Sequence, residues 1–116
     1  MTRRTDRVDD LLRTELSELL VREVADPRVR LVTVVSVETS PDLRHADVAV
    51  SVLGAESERE EAVDALRGAQ GFLRSRLARK VRLRNIPELR FRLDRGAEHS
   101  QRISDLLESL HDDESA

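Results

Sequence analysis

Between Arg67 and Leu93, nine basic side chains (Arg67, Arg74, Arg76, Arg79, Lys80, Arg82, Arg84, Arg90 and Arg92) stand against Glu88 alone, a local charge of +8. The rest of the 116-residue chain offsets this to a net −3, with five acids against Arg59 over 54–66 and seven against Arg95 and Arg102 over 94–116. A basic block in an otherwise acidic protein points to a defined surface for a polyanion, because guanidinium forks match phosphate oxygens. The same residues also fit a solvated helix face whose arginine stems lie over apolar surface. Charge by itself does not separate the two readings.

Other chemistries find little support. The chain has no cysteine, which excludes disulfides, thiol nucleophiles and thiolate metal sites. His45, His99 and His111 are isolated and form no paired ligand spacing, so no metal is expected. Ser36, Ser51 and Ser75 lie in no nucleophile elbow, and no glycine-rich nucleotide-binding fingerprint is present. The acids from Glu56 to Glu61 read as the first turn of a helix, where the dipole favours negative charge. The expectation is a non-enzyme without cofactor or small-molecule substrate. No apolar run approaches the length of a membrane span. Met1-Thr2-Arg3-Arg4 opens no secretory signal, so the expected location is the cytoplasm.

The elements that must carry the basic block are legible from periodicity. Val8, Leu11, Leu12, Leu16, Leu19, Leu20 and Val24 follow the i, i+3, i+4 rhythm and predict a helix over 5–24, with Thr5 as N-cap. Asp26-Pro27-Arg28 ends it and reads as a structural turn. Residues 31–40 are β-branched and predict a strand; Ser40-Pro41-Asp42 turns it into a second strand over 45–53, where Ala46, Val48, Val50 and Val52 share one face. Ser57, with Glu60 completing a capping box, is the expected start of the next helix. Gly68 and Gly71 then interrupt the helical pattern, each costing about 1 kcal/mol against alanine in a helix interior, so a break between two helices is expected there. Leu73, Leu77 and Val81 form the inward stripe of the second of these helices. Residues 89–93 alternate Leu89, Phe91 and Leu93 inward with Arg90 and Arg92 outward, a third strand. Residues 98–110 predict a last helix and 111–116 an acidic, frayed tail. The order is α-β-β-α-kink-α-β-α, an α+β domain of one three-stranded sheet packed by helices.

A helix, Gly-x-x-Gly, a helix and a strand resemble an RNA-binding KH domain, although the middle pair, Ala69-Gln70, lacks the basic residue often found there. The resemblance narrows with Arg7-Val8, Asp26-Pro27-Arg28, Val32-Thr33-Val34, Ser40-Pro41-Asp42-Leu43, Ala69-Gln70-Gly71-Phe72-Leu73-Arg74, Arg82-Leu83-Arg84 and Pro87-Glu88-Leu89-Arg90-Phe91. Taken in order and spacing from about Arg3 to Leu110, these closely resemble the bacterial ribosome-binding factor A family. That resemblance implies a KH-like, type II-like domain over 3–110, in which Ala69, Gln70 and Gly71 form an interhelical kink in place of Gly-x-x-Gly. It further implies a non-catalytic small-subunit assembly factor. Such a factor binds the immature, free 30S subunit and 16S rRNA as a monomer and supports late 16S rRNA processing, particularly in the cold. The RNA-binding candidates, selected from charge and location, are Arg74, Arg76, Arg79, Lys80, Arg82 and Arg84, with Arg90 and Arg92 on the third strand. The alternative is a protein-interaction module that docks a partner through its exposed sheet or its acidic C-terminal helix.

Overall fold

A computed structural model of the chain describes residues 3–94; the expected last helix over 98–110 and the tail over 111–116 lie outside them. The described elements are helix α1 (Arg3–Arg22), a 3-10 turn (Pro27–Val29), strands β1 (Val32–Thr39) and β2 (His45–Val52), helices α2 (Glu56–Gly68) and α3 (Gln70–Lys80), and strand β3 (Glu88–Leu93). This is an α+β, KH-like arrangement of the type II-like kind. The sheet order is β1-β2-β3. β1 and β2 form the expected antiparallel hairpin, with Val35 bulged between the pairs Val34↔Val50 and Ser36↔Ala49. β3 pairs with β2 in parallel, from His45↔Glu88 to Val50↔Leu93. A parallel neighbour cannot be reached by a hairpin, and the α2–α3 pair supplies the crossover.

The helices cover one face of the sheet. Leu12, Leu16 and Leu19 of α1, Leu66 of α2, and Leu73 and Leu77 of α3 are fully buried against Val34, Val48, Val50, Leu89 and Phe91. Burying each such leucine is worth roughly 1.5–3 kcal/mol, so this layer supplies most of the driving force for folding. The opposite sheet face carries Thr33, Ser36, Glu38, Glu88, Arg90 and Arg92, all exposed.

Two expected helix starts are corrected. α1 begins at Arg3, so Thr5 lies inside its first turn and is not its N-cap. α2 is capped by the backbone of Ala55, with no side-chain capping bond, and Ser57 is already helical. The reason is Gly54, whose φ of 131° turns the chain directly out of β2 and lets Arg59 N–H reach Ala55 O at 3.0 Å. A Cβ on Gly54 would meet Glu58 Oε2 at 2.9 Å, a contact the flexible glutamate can relieve, so the backbone angle is what calls for glycine there.

The break between α2 and α3 falls at Ala69, with φ −89° and ψ 2°. Its N–H donates to both Ala65 O (3.0 Å) and Leu66 O (3.1 Å), and its carbonyl accepts from Leu73 N–H at 2.9 Å, so the hydrogen-bond ladder runs on through the bend. Gly68 and Gly71 do not adopt left-handed backbone, and a Cβ on either would meet nothing within 4 Å. The bend is therefore not a glycine-dependent turn, contrary to the expectation from composition.

Side chains from this bent helix pair hold the outer side of β3. Arg67 Nη2 donates to Phe91 O (3.2 Å), Gln70 Oε1 accepts from Leu89 N–H (2.8 Å), and Arg74 Nη2 donates to Ile86 O (2.7 Å). Spacings of three and four residues place the three side chains on one helical ridge, and the bend at Ala69 keeps that ridge alongside the strand.

Candidate nucleic-acid interface

The β1–β2 turn builds one wall of a cleft. Asp42 Oδ1 accepts from Ser40 Oγ (2.6 Å) and Arg44 N–H (3.1 Å), and Leu43 N–H donates to Ser40 O (2.8 Å). The Ser40 hydroxyl first, then the Arg44 amide, hold the Asp42 carboxyl below its ordinary range, so it is ionised at neutral pH. Within this network Leu43 is held at φ 61°, the left-handed region that costs a non-glycine residue roughly 1–2 kcal/mol. Glu88 N–H donates to Arg44 O at 2.9 Å and locks the turn to the start of β3.

The opposite wall is the irregular segment after α3. Val81 N–H closes the helix on Leu77 O at 2.9 Å, and Pro87, fully buried, ends the segment. Between the two walls lies an open cleft of about 600 Å³. Arg44, Arg74, Arg82 and Arg84 surround it, with Asp42 the single acid. Leu43, Leu83 and Ile86, each half-buried, give it an apolar floor, and Leu83 and Ile86 also pack against the core. Asn85 offers an exposed amide at the rim. Four cations beside a small apolar patch in a mostly polar cleft form a site for an anion that carries a flat or weakly polar body.

The sequence candidates divide into three groups. Arg74, Arg82 and Arg84 converge on the cleft. Arg74 and Arg76 lie about 200° apart around α3, so Arg76 points to a different flank. There its guanidinium sits 5.0 Å from the centroid of Phe72, which is 40% exposed, an exposed cation–π contact worth roughly 0.5–1 kcal/mol. Lys80 follows Phe72 and Arg76 at four-residue spacing, and Arg79 is exposed in the same last turn. Arg90 and Arg92 stand apart on the uncovered sheet face. Arg90 approaches Glu88 at 3.8 Å, and Arg92 lines a groove with Glu60, Asp64 and Arg67. Of the three kink candidates, Ala69 sits at the bend, Gln70 is committed to Leu89 N–H, and Gly71 lies within α3.

Sequence reasoning missed Arg44 and Leu43. Both sit in a turn more than twenty positions before the basic block, and only the pairing of β2 with β3 brings them beside Arg82 and Arg84. Asp26-Pro27-Arg28 is the structural turn it resembles. Asp26 caps the 3-10 turn through Arg28 N–H (2.9 Å) and grips the Arg28 guanidinium through both oxygens, the shortest contact being 2.6 Å. That pairing lowers the Asp26 pKa from 3.8 to about 2. Among the described residues no cluster of His, Cys, Asp or Glu could hold a metal, and no helix is long and apolar enough to cross a membrane.

Residues 4–107 match the family described as Ribosome-binding factor A. The chain is 46% identical over 107 residues to a ribosome-binding factor A of Thermomicrobium roseum, covering 92% of this chain and 83% of the relative. Among solved structures, the crystal structure of ribosome-binding factor A from Thermus thermophilus superposes with a TM-score of 0.69 at 34% identity, over 77% of this chain and 94% of that one. A Thermus thermophilus ribosome-binding factor A model fitted into the cryo-electron microscopy map of its complex with 30S has a TM-score of 0.56 at 37% identity, over 72% and 92% of the two chains.

Proposed function

The chain belongs to the ribosome-binding factor A family, and on that premise we propose that it is a non-catalytic assembly factor that binds the free, immature 30S subunit. It contacts 16S rRNA and supports late 16S rRNA processing, working as a monomer in the cytoplasm and mattering most in the cold. Residues 3–110 act as one RNA-binding domain. The observation that carries the reading is the convergence of Arg44, Arg74, Arg82 and Arg84 on one cleft, in a family whose Thermus thermophilus member has been fitted into a 30S complex. Arg76, Arg79 and Lys80 extend the phosphate-binding surface along the other flank of α3, and Arg90 and Arg92 contribute least.

Sedimentation of cell extracts through a sucrose gradient tests the reading. The protein is expected with free 30S particles and absent from 70S. Arg82→Glu with Arg84→Glu should remove it from the 30S peak while leaving its circular dichroism spectrum unchanged. If about five cations meet phosphates, log K should fall with log[salt] at a slope of roughly −3 to −4. A flat salt response together with unchanged sedimentation of the double variant would refute the electrostatic basis. Capture of a protein partner that resists both nuclease and charge reversal would favour docking through the exposed sheet or the acidic C-terminal region.

A further inference from the structure

We propose that the cleft between the β1–β2 turn and the segment after α3 receives one unpaired nucleotide of the RNA, its base on Leu43, Leu83 and Ile86 and its phosphates on the surrounding arginines. This deepens the rRNA-binding reading and rests on it. The volume of about 600 Å³ falls within the range of small-ligand pockets, about 300–1,000 Å³, and leaves room for a single nucleotide rather than a helix. A duplex presents only its phosphates and shallow minor groove to such a depression, because its bases are stacked inside. A surface that read phosphates alone would have no use for an apolar floor. An extruded base matches both parts, with a flat, weakly polar ring for the floor and an anion on each side for the rim.

The parts are fixed before any ligand arrives. Arg74 is oriented by its hydrogen bond to Ile86 O at 2.7 Å and keeps its other N–H groups for a phosphate. Leu43 is held left-handed by the Ser40–Asp42 network, a backbone that Asn or Gly would adopt with less strain, and its side chain lines the cleft. Asn85 lines the same cleft and is exposed, and its amide can both donate to and accept from the edge of a base.

The test is binding of the full chain to three short RNA hairpins, measured by fluorescence anisotropy at one ionic strength. One hairpin carries a single-nucleotide bulge, the second the same bulge made abasic, and the third no bulge. The bulged hairpin should bind about tenfold more tightly than the other two, the scale of burying one face of a base against aliphatic side chains. Leu43→Asn keeps a residue suited to the left-handed turn and removes the apolar surface. It should abolish that preference without lowering the thermal midpoint or changing the salt slope. Arg82→Ala should weaken all three complexes. Equal affinity for the three hairpins, absence of binding to any of them, or a preference that survives Leu43→Asn overturns the proposal. Tighter binding of a polyglutamate peptide than of the bulged hairpin also overturns it, assigning the cleft to acidic protein segments. None of these results alters co-sedimentation with 30S, so the two readings fail separately.

Discussion

Replacing Gly68 and Gly71 together by alanine should make the protein more stable. Composition alone points the other way, since two glycines within four residues at a helix break look like a conformational requirement. Neither has a positive φ, and a Cβ on either would meet nothing within 4 Å. Alanine therefore introduces no clash and no strain. It gains helix propensity at the last residue of α2 and the second residue of α3, and it restricts the unfolded chain. Each substitution should add about 0.4–1 kcal/mol, and because no new contacts arise the two should add to about 1–2 kcal/mol. The urea midpoint should rise with an unchanged slope, and the melting temperature should increase by roughly 4–8 °C per kcal/mol. A double variant less stable than the parent would show that the bend at Ala69 needs glycine on either side, refuting this reasoning. A variant that is more stable but has lost 30S binding would instead mean that a partner approaches the bare backbone there.

Three further perturbations follow from single contacts. Gln70→Ala removes the acceptor for Leu89 N–H and should lower stability by about 1–3 kcal/mol in urea unfolding, with faster amide exchange at Leu89. Thr39 is buried, 5% exposed, and its hydroxyl has no hydrogen-bond partner; Thr39→Val should raise the unfolding free energy from urea titration by about 1 kcal/mol, since its backbone N–H keeps its bond to Asp9 Oδ1 at 2.8 Å. Asp26 is ionised down to about pH 2 in the folded chain and only to its ordinary 3.8 when unfolded. Its stabilising effect is thus complete above that ordinary value and disappears as the pH falls through the folded one. Asp26→Asn should flatten this acid limb in urea titrations, and an unchanged limb would place the proton uptake elsewhere.

What the sequence made legible was whatever a local period encodes. The leucine stripe of α1, the valine alternation of β2, the Leu73–Leu77–Val81 stripe and the Asp26-Pro27 stop all depend on near neighbours, and all appear in the fold. The parallel pairing of β3 and the bulge at Val35 leave no local signal, because the first is set by a strand about forty residues away and the second by the register of the partner strand. The start of α2 was misread because Ser57 has ideal capping chemistry, yet Gly54 turns the chain earlier and the helix begins before Ser57. The basic block foretold Arg74, Arg82 and Arg84 but not their companion Arg44, whose closeness is a product of topology. It also grouped Arg90 and Arg92 with them, although both lie away from the cleft, Arg90 beside Glu88 and Arg92 in a groove along α2. The structural duty of Gln70 could not be inferred from its type, since amides of this kind are common on exposed helices.

The ridge formed by Arg67, Gln70 and Arg74 has a consequence for what can associate with this protein. β3 is a terminal strand of the sheet, and such strands offer main-chain groups onto which foreign chains can zip. Here Phe91 O, Leu89 N–H and Ile86 O are already engaged by the bent helix pair, and on the other terminal strand Asp9 takes Thr39 N–H. Strand addition by another polypeptide, whether a specific peptide or a second misfolded copy, would first have to displace these side chains. A partner that adds to β3, or to the Thr39 end of β1, must therefore compete with side chains the protein already places there.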